Sequence, residues 1–179
     1  MVQLRAVTDY LHSVAEVEQV YGIAKASDPI FFPEWSQALP NLLTGESERL
    51  ALIKQRYLYH RQQGHLLENA VNFLVISPLL EMAALYDPPF LLKSEVSVKF
   101  ELEDAEATVY QGRIDALVVQ DYLWIVLVES KRTSFNVTTA IPQALAYMAS
   151  HADSQPKFGL ASNGEYFILL KLDQNQYST

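Results

Sequence analysis

The chain has 179 residues, 50% of them hydrophobic and 19% charged, which describes a globular domain with a sizeable core and not a disordered one. It has no cysteine, so disulfides and thiolate-ligated zinc or iron–sulfur centres are excluded. The formal net charge of -8 argues against a protein whose whole surface grips nucleic acid; such a role needs a local basic patch, a bound cation or a partner chain.

The sequence reads as a single domain over 1–179, divided into a strap with short helices (1–45), a core (46–172) and a tail (173–179). The N-terminal "MVQLRAVTDYLHS" lacks the layout of a secretory signal, and no apolar run is long enough to cross a bilayer, so the expectation is a soluble cytoplasmic protein with no membrane contact. "ASDPIFFPEWSQALPNLLTG" holds three prolines and reads as a strap lying on the domain. From Glu46 to Gln63 the spacing of Leu50, Ile53, Tyr57 and Leu58 is helical. A second helix covers about Leu66 to Ile76, breaks at Ser77-Pro78 and resumes through "LLEMAALY".

The period then changes to two. In "KSEVSVKFELED" Val96, Val98, Phe100 and Leu102 alternate with polar residues, the pattern of a strand with one wet face. Two more strands follow, about Thr108–Val119 and Tyr122–Ser130. "TTAIPQALAYMAS" is a helix that tolerates Pro142 in its first turn. "KFGLASNGEYFILLKL" is a hairpin whose Asn163-Gly164 suits a tight primed turn. Helices, three strands, a helix and two strands make an α/β fold with a mixed central sheet flanked by helices.

Charges in the apolar hairpin "GRIDALVVQDYLWIVLVESKR" carry the functional question. Strand alternation puts Glu129 and Lys131 on one face with Leu123, Ile125 and Leu127, and puts Asp115 with Gln111 and Arg113. In an antiparallel pair, opposed residues share a face. An odd-length loop therefore brings Asp115 and Glu129 together. A two-residue loop at Gln120-Asp121 separates them unless a bulge intervenes. If they meet, their mutual repulsion calls for a cation between them, and Mg²⁺ suits a few carboxylates plus water. Lys131 would then stand beside it.

"GRIDAL" followed by "VESK" resembles the PD-(D/E)xK, restriction-endonuclease-like nuclease motif. Asp115 matches the first acid, Glu129 the second and Lys131 the lysine; Ile114 stands where the family often has proline. "QALAY" resembles the QxxxY element that follows this core in the N-terminal nuclease domain of type I restriction motor subunits and in recombination-repair nucleases, with Gln143 and Tyr147 as its members. Upstream, Glu68 is the best match to a further acid on a helix and Glu81 the second choice. The resemblance covers roughly residues 64–172. It extends to stand-alone proteins named restriction endonuclease subunit R-like, which takes in "IKQRYLYHR" as well.

The resemblance implies a metal-dependent DNA endonuclease in a restriction or DNA-repair system. Asp115 and Glu129 would hold Mg²⁺ or Mn²⁺ together with the Ser130 carbonyl and Glu68, and Lys131 would orient the nucleophile. Gln143 and Tyr147 would support the site or touch the DNA backbone. Lys54, Arg56, Arg61 and Arg132 are the candidate DNA contacts, although such a run also suits the wet face of an amphipathic helix. The implied partners are DNA, a helicase, translocase or specificity chain, and a second copy of the chain. The rival reading is a catalytically inactive nuclease-fold module for DNA binding or assembly. No G-x-x-x-x-G-K-[ST] is present, so this chain carries no nucleotide-driven motor.

Overall fold

The alternating and apolar runs in the second half of the chain become the centre of one mixed sheet, eight-stranded among the described residues. The computed structural model describes residues 4–6, 11–101, 109–120, 123–130, 132–151 and 155–179. The strands are β1 (Leu4–Ala6), β2 (Ala24–Lys25), β3 (Leu91–Glu101), β4 (Val109–Gln120), β5 (Leu123–Ser130), β6 (Lys157–Ser162), β7 (Phe167–Asp173) and β8 (Gln176–Ser178). Their order is β1-β4-β5-β6-β7-β8-β2, and β3 also pairs with β4. The β3–β4 and β4–β5 pairs are antiparallel, whereas β5 and β6 run parallel. A parallel step needs a crossover, and helix α6 (Ile141–Ser150) supplies it.

Helices cover both faces, because a buried sheet exposes two apolar surfaces. On one face α6 and α1 (Val14–Tyr21) pack together over a cluster that includes Val17, Ile114, Leu117, Leu145, Met148 and Ala161. On the other, Val71, Ile76 and Leu80 pack with Leu66, Leu85 and Leu160. Neighbours Leu160 and Ala161 thus serve opposite faces, as strand alternation requires. The α1 helix starts in a capping box, with the Glu16 carboxylate accepting from the His12 and Ser13 amides. Those two amides hold the Glu16 carboxyl below the usual carboxylate range.

Several expectations need correction. The first 45 residues hold short helices, as expected, but also two short strands, β1 and β2, that join the sheet. Residues 26–43 do run over the domain, with α2 (Pro33–Ser36) inside them. They are anchored where Glu34 accepts from Lys171 Nζ at 2.8 and 3.0 Å. The expected tail 173–179 contains β8, which pairs with β7 and β2. The first long helix is α3 (Thr44–Arg61).

The expected break at Ser77-Pro78 does not occur. Instead α4 (Glu68–Val71) passes through a π-helical turn (Asn72–Ile76) into α5 (Ser77–Met82). The Ser77 amide bonds back to Asn72 O, which widens the turn ahead of Pro78. Such a turn takes up the missing proline N–H and eases the ring's clash with the carbonyl four residues back. The Asn163-Gly164 connection is also longer than a two-residue turn. Ser162 pairs with Phe167, so residues 163–166 form the loop. Asn163 Oδ1 closes it by accepting from the amides of Glu165 at 3.1 Å and Tyr166 at 2.9 Å.

Candidate active site

The β4–β5 register decides whether the two hairpin acids can meet. Next to the loop, Gln120 pairs with Leu123 and Val119 with Trp124. Continued unchanged, that register would put Asp115 opposite Val128. It shifts by one between Val118 and Val119: Val118 pairs with Val126, and Ile125 is the extra residue of a β-bulge. Beyond it run Leu117↔Leu127 and Ala116↔Val128; carried one step further, this register would set Asp115 against Glu129. The bulge shifts the register by one residue, as an odd-length loop would. It also interrupts the regular pairing of β5 with β4; the side chains expected to alternate over 123–131 lie outside the described residues.

The sheet opens at the same place. Along β4, β3 occupies one edge throughout, so β1 and β5 must share the other. β1 pairs with residues 109–111 and β5 with residues 116–120. Among the described residues, 112–115 take no ladder partner on that edge. Past its last pair with β4, β5 stays bound to β6 through Glu129↔Ala161 and Ser130↔Ser162. Asp115 and the Glu129–Ser130 segment thus stand where two strands part.

The opposite edge is irregular here too. The β3–β4 ladder passes from Ser94↔Ala116 to Val96↔Ile114 without a Glu95–Asp115 pair. Glu95 has a φ of 52°, a left-handed conformation that costs a non-glycine residue about 1–3 kcal/mol. Ile114 and Leu117 both join the cluster that contains the α6 residues, although an even spacing would be needed in a regular strand. Alternation therefore slips once between them, beside Asp115, and the simple face assignment expected for β4 does not hold. Nothing in the alternating sequence of β3 marks Glu95 as special.

Helix α6 presses on this stretch. Gln143 Nε2 donates to Tyr147 Oη at 2.9 Å, and Tyr147 is fully buried. A Cβ on Gly112 would lie 2.3 Å from Tyr147 Oη, so the tyrosine occupies the space that a side chain there would need. The two QxxxY residues thereby meet each other, and Tyr147 lies against β4 three residues before Asp115.

The remaining candidates are dispersed. Glu68 opens α4, is exposed, and lines a groove of about 460 Å³ with Asn69, Asn72, Phe73, Ser94 and Glu95. Glu81 is bonded to Arg49 at 2.7 Å. Lys54 and Arg56 are exposed on α3. Arg61, at the end of α3, is committed to Glu165 at 2.8 Å and the Gly64 carbonyl at 3.3 Å. Arg132 is exposed and stacks over the Phe135 ring at 4.4 Å. Lys131 lies outside the described residues. The side chains of Asp115 and Glu129 are likewise outside what is described, and among the described residues no three His, Cys, Asp or Glu groups are placed to hold a metal ion. The expected donors are two carboxylates and a main-chain carbonyl. That all-oxygen set fits Mg²⁺ or Mn²⁺ and does not suit a soft metal.

The fold class is thus a mixed α/β domain with helices on both faces of a mixed sheet and its acidic motif at a strand fork. The chain belongs to the family described as the type I restriction enzyme R protein N terminus, whose model matches residues 35–178. Among solved structures it is similar to the fragment structure of a putative HsdR subunit of a type I restriction enzyme from Vibrio vulnificus YJ016. The two share 19% identity at a TM-score of 0.48, over 64% of this chain and 22% of that one. This chain therefore spans less than a quarter of that neighbour's length. No curated protein matches. Among the described residues no helix is long and apolar enough to cross a membrane.

Proposed function

We propose that this domain is a divalent-metal-dependent DNA endonuclease of the PD-(D/E)xK type. The observation that supports the reading is the Ile125 bulge, past which the pairs Leu117↔Leu127 and Ala116↔Val128 run in the register that, one step further, would oppose Asp115 and Glu129. Membership of the R protein N-terminus family supports it.

In this reading Asp115 and Glu129 hold Mg²⁺ or Mn²⁺, with the Ser130 carbonyl as a third donor and Glu68 joining through water. Glu81 is the poorer choice, being already paired with Arg49. A bound divalent ion would supply electrophilic stabilisation of charge building on the scissile phosphate. Lys131 orients the attacking water and steadies that charge. Gln143 and Tyr147 brace the β4 backbone at Gly112, so that Asp115 keeps its position. Lys54, Arg56 and Arg132 are the exposed cations available to DNA phosphates; Arg61 is a weaker candidate because Glu165 holds it. With a net charge of -8, productive DNA binding calls for help from a partner chain, in the role of a translocase or a specificity subunit, or from a second copy of this chain.

The test is nicking of supercoiled plasmid in Mg²⁺ or Mn²⁺. The parent should cut, and Asp115→Ala and Lys131→Ala should abolish cutting while melting normally. Unchanged nicking in either variant removes that residue from the mechanism. The acidic charge favours one rival, a non-catalytic DNA-binding or assembly module. A gel shift in chelator without cutting in metal would establish it; neither binding nor cutting would point to a protein-interaction domain.

A further inference from the structure

We infer that Thr133 is a positioning residue that fixes the start of α4, and with it Glu68, against the end of β5; the inference rests on the nuclease reading above. Thr133 is 6% exposed, two residues beyond Lys131. Its amide donates to the Leu66 carbonyl at 3.1 Å, and its Oγ1 accepts from the Leu66 amide at 3.0 Å. Its Oγ1 also lies 3.3 Å from His65 Nδ1. One residue thus satisfies both main-chain groups of Leu66, as a β-bridge partner would, across 67 positions of sequence. A serine or threonine hydroxyl is needed for this, because the second bond ends on a side-chain oxygen.

The clamp has a particular place to act. Leu66 lies two residues before Glu68, and α4 is four residues long with no side-chain cap at Leu67. The first turn of the helical run from Glu68 to Met82 therefore has no side chain of its own closing its free amides. On the other strand of the clamp, residues 132–136 are held from the far side as well. Asn163 Nδ2 donates to the Phe135 carbonyl at 2.8 Å, and the Arg132 guanidinium covers the Phe135 ring. The turn is therefore a fixed post, and Thr133 ties the approach to Glu68 onto it. Glu68 and Glu129 sit on separate elements, and a carboxylate placed an ångström too far loses its hold on a shared cation.

The test is a Mn²⁺ titration followed by the EPR signal of the free ion. It compares the parent with Thr133→Val, Thr133→Ser, Glu68→Gln and the Thr133→Val/Glu68→Gln double variant. Thr133→Val should weaken Mn²⁺ binding about tenfold, the lower end of what losing a support outside the ligand shell costs. Thr133→Ser should bind like the parent. Glu68→Gln should cost the parent a similar factor and add little on the Thr133→Val background, a non-additivity that a general loss of stability would not produce. Parent-like binding by Thr133→Val, or additive losses, overturns the inference while leaving the nuclease reading intact. A parent that binds no Mn²⁺ overturns both. If Thr133→Val does not fold in chelator, hydrogen exchange of the parent decides: Mg²⁺ should slow exchange at the Leu66 amide, and an unchanged rate refutes the clamp.

Discussion

Gly112→Ala is the substitution whose outcome the packing fixes most sharply. In an open strand site it would stabilise, since a strand glycine forgoes about 0.5–1 kcal/mol relative to alanine. Here the new methyl would lie 2.3 Å from Tyr147 Oη, 2.6 Å from Cε1 and 2.8 Å from Cζ. Ordinary carbon contacts need about 3.5–4 Å, so the ring must retreat by about an ångström or more. It has little room to do so, because Tyr147 is itself only 1% exposed, within the core cluster that includes Ile114 and Leu117. Overpacking of this kind costs about 1–3 kcal/mol, which reverses the sign of the substitution. At roughly 2–4 °C per kcal/mol for a domain of this size, melting should fall by roughly 2–12 °C. Thermal unfolding in chelator measures it, alongside Tyr147→Leu and the double variant. The double variant should be more stable than the sum of the two single losses by more than the roughly 0.5 kcal/mol scatter of additive sites. An unchanged or raised melting temperature for Gly112→Ala, or strict additivity, would show that α6 does not press on β4 beside Asp115.

Three further outcomes are expected. At ten times its dissociation constant, Mn²⁺ should stabilise the parent by about 1.4 kcal/mol, a rise of roughly 3–6 °C by thermal shift; Asp115→Asn should melt at or above the metal-free parent and gain little from the ion, and an equal gain in both would dissociate Asp115 from metal binding. Burial, then the hydrogen bond to Glu18, pushes the Tyr177 hydroxyl up to about 12 from an ordinary value of 10.0. The neutral form is favoured in the folded state, so its contribution is complete below pH 10 and is lost as pH rises toward 12; Tyr177→Phe should flatten part of that alkaline fall in melting temperature, and an unaltered profile would refute the assignment. Lys171 is buried, bonded to Glu34 and set near the rings of Phe31 and Phe158, so Glu34→Ala, which leaves a buried ammonium without its carboxylate, should lower melting more than Lys171→Met does; the reverse order would show that the pair does not hold the strap.

The periodic segments were legible because burial imposes period: β3, β4, β5, α3 and α6 fall within a few residues of their sequence patterns. The short strands β1, β2 and β8 carry two or three residues each, too few for a period to show, and their sheet membership comes from pairing with distant strands. Pro78 was a correct signal of backbone disturbance but an ambiguous one, answered by a π turn where a break was equally open to it. At the site, sequence logic identified the parity condition linking Asp115 to Glu129. It could not say that the register shifts at Ile125, since nothing in "LWIVLV" distinguishes the bulged residue. The Gln143–Tyr147 contact follows from helical spacing, whereas the left-handed backbone of Glu95 and the Thr133–Leu66 bonds have no local sequence signal.

The central claim is that Asp115 and Glu129 form one divalent-metal site at the fork of β4 and β5. The most direct measurement is anomalous X-ray scattering at the manganese edge from crystals grown in Mn²⁺. The account predicts a peak within coordination distance of both carboxylates, lost in crystals of Asp115→Asn. A fully ordered fork with no peak at saturating Mn²⁺, or with the two carboxylates turned to opposite faces of the sheet, would contradict it.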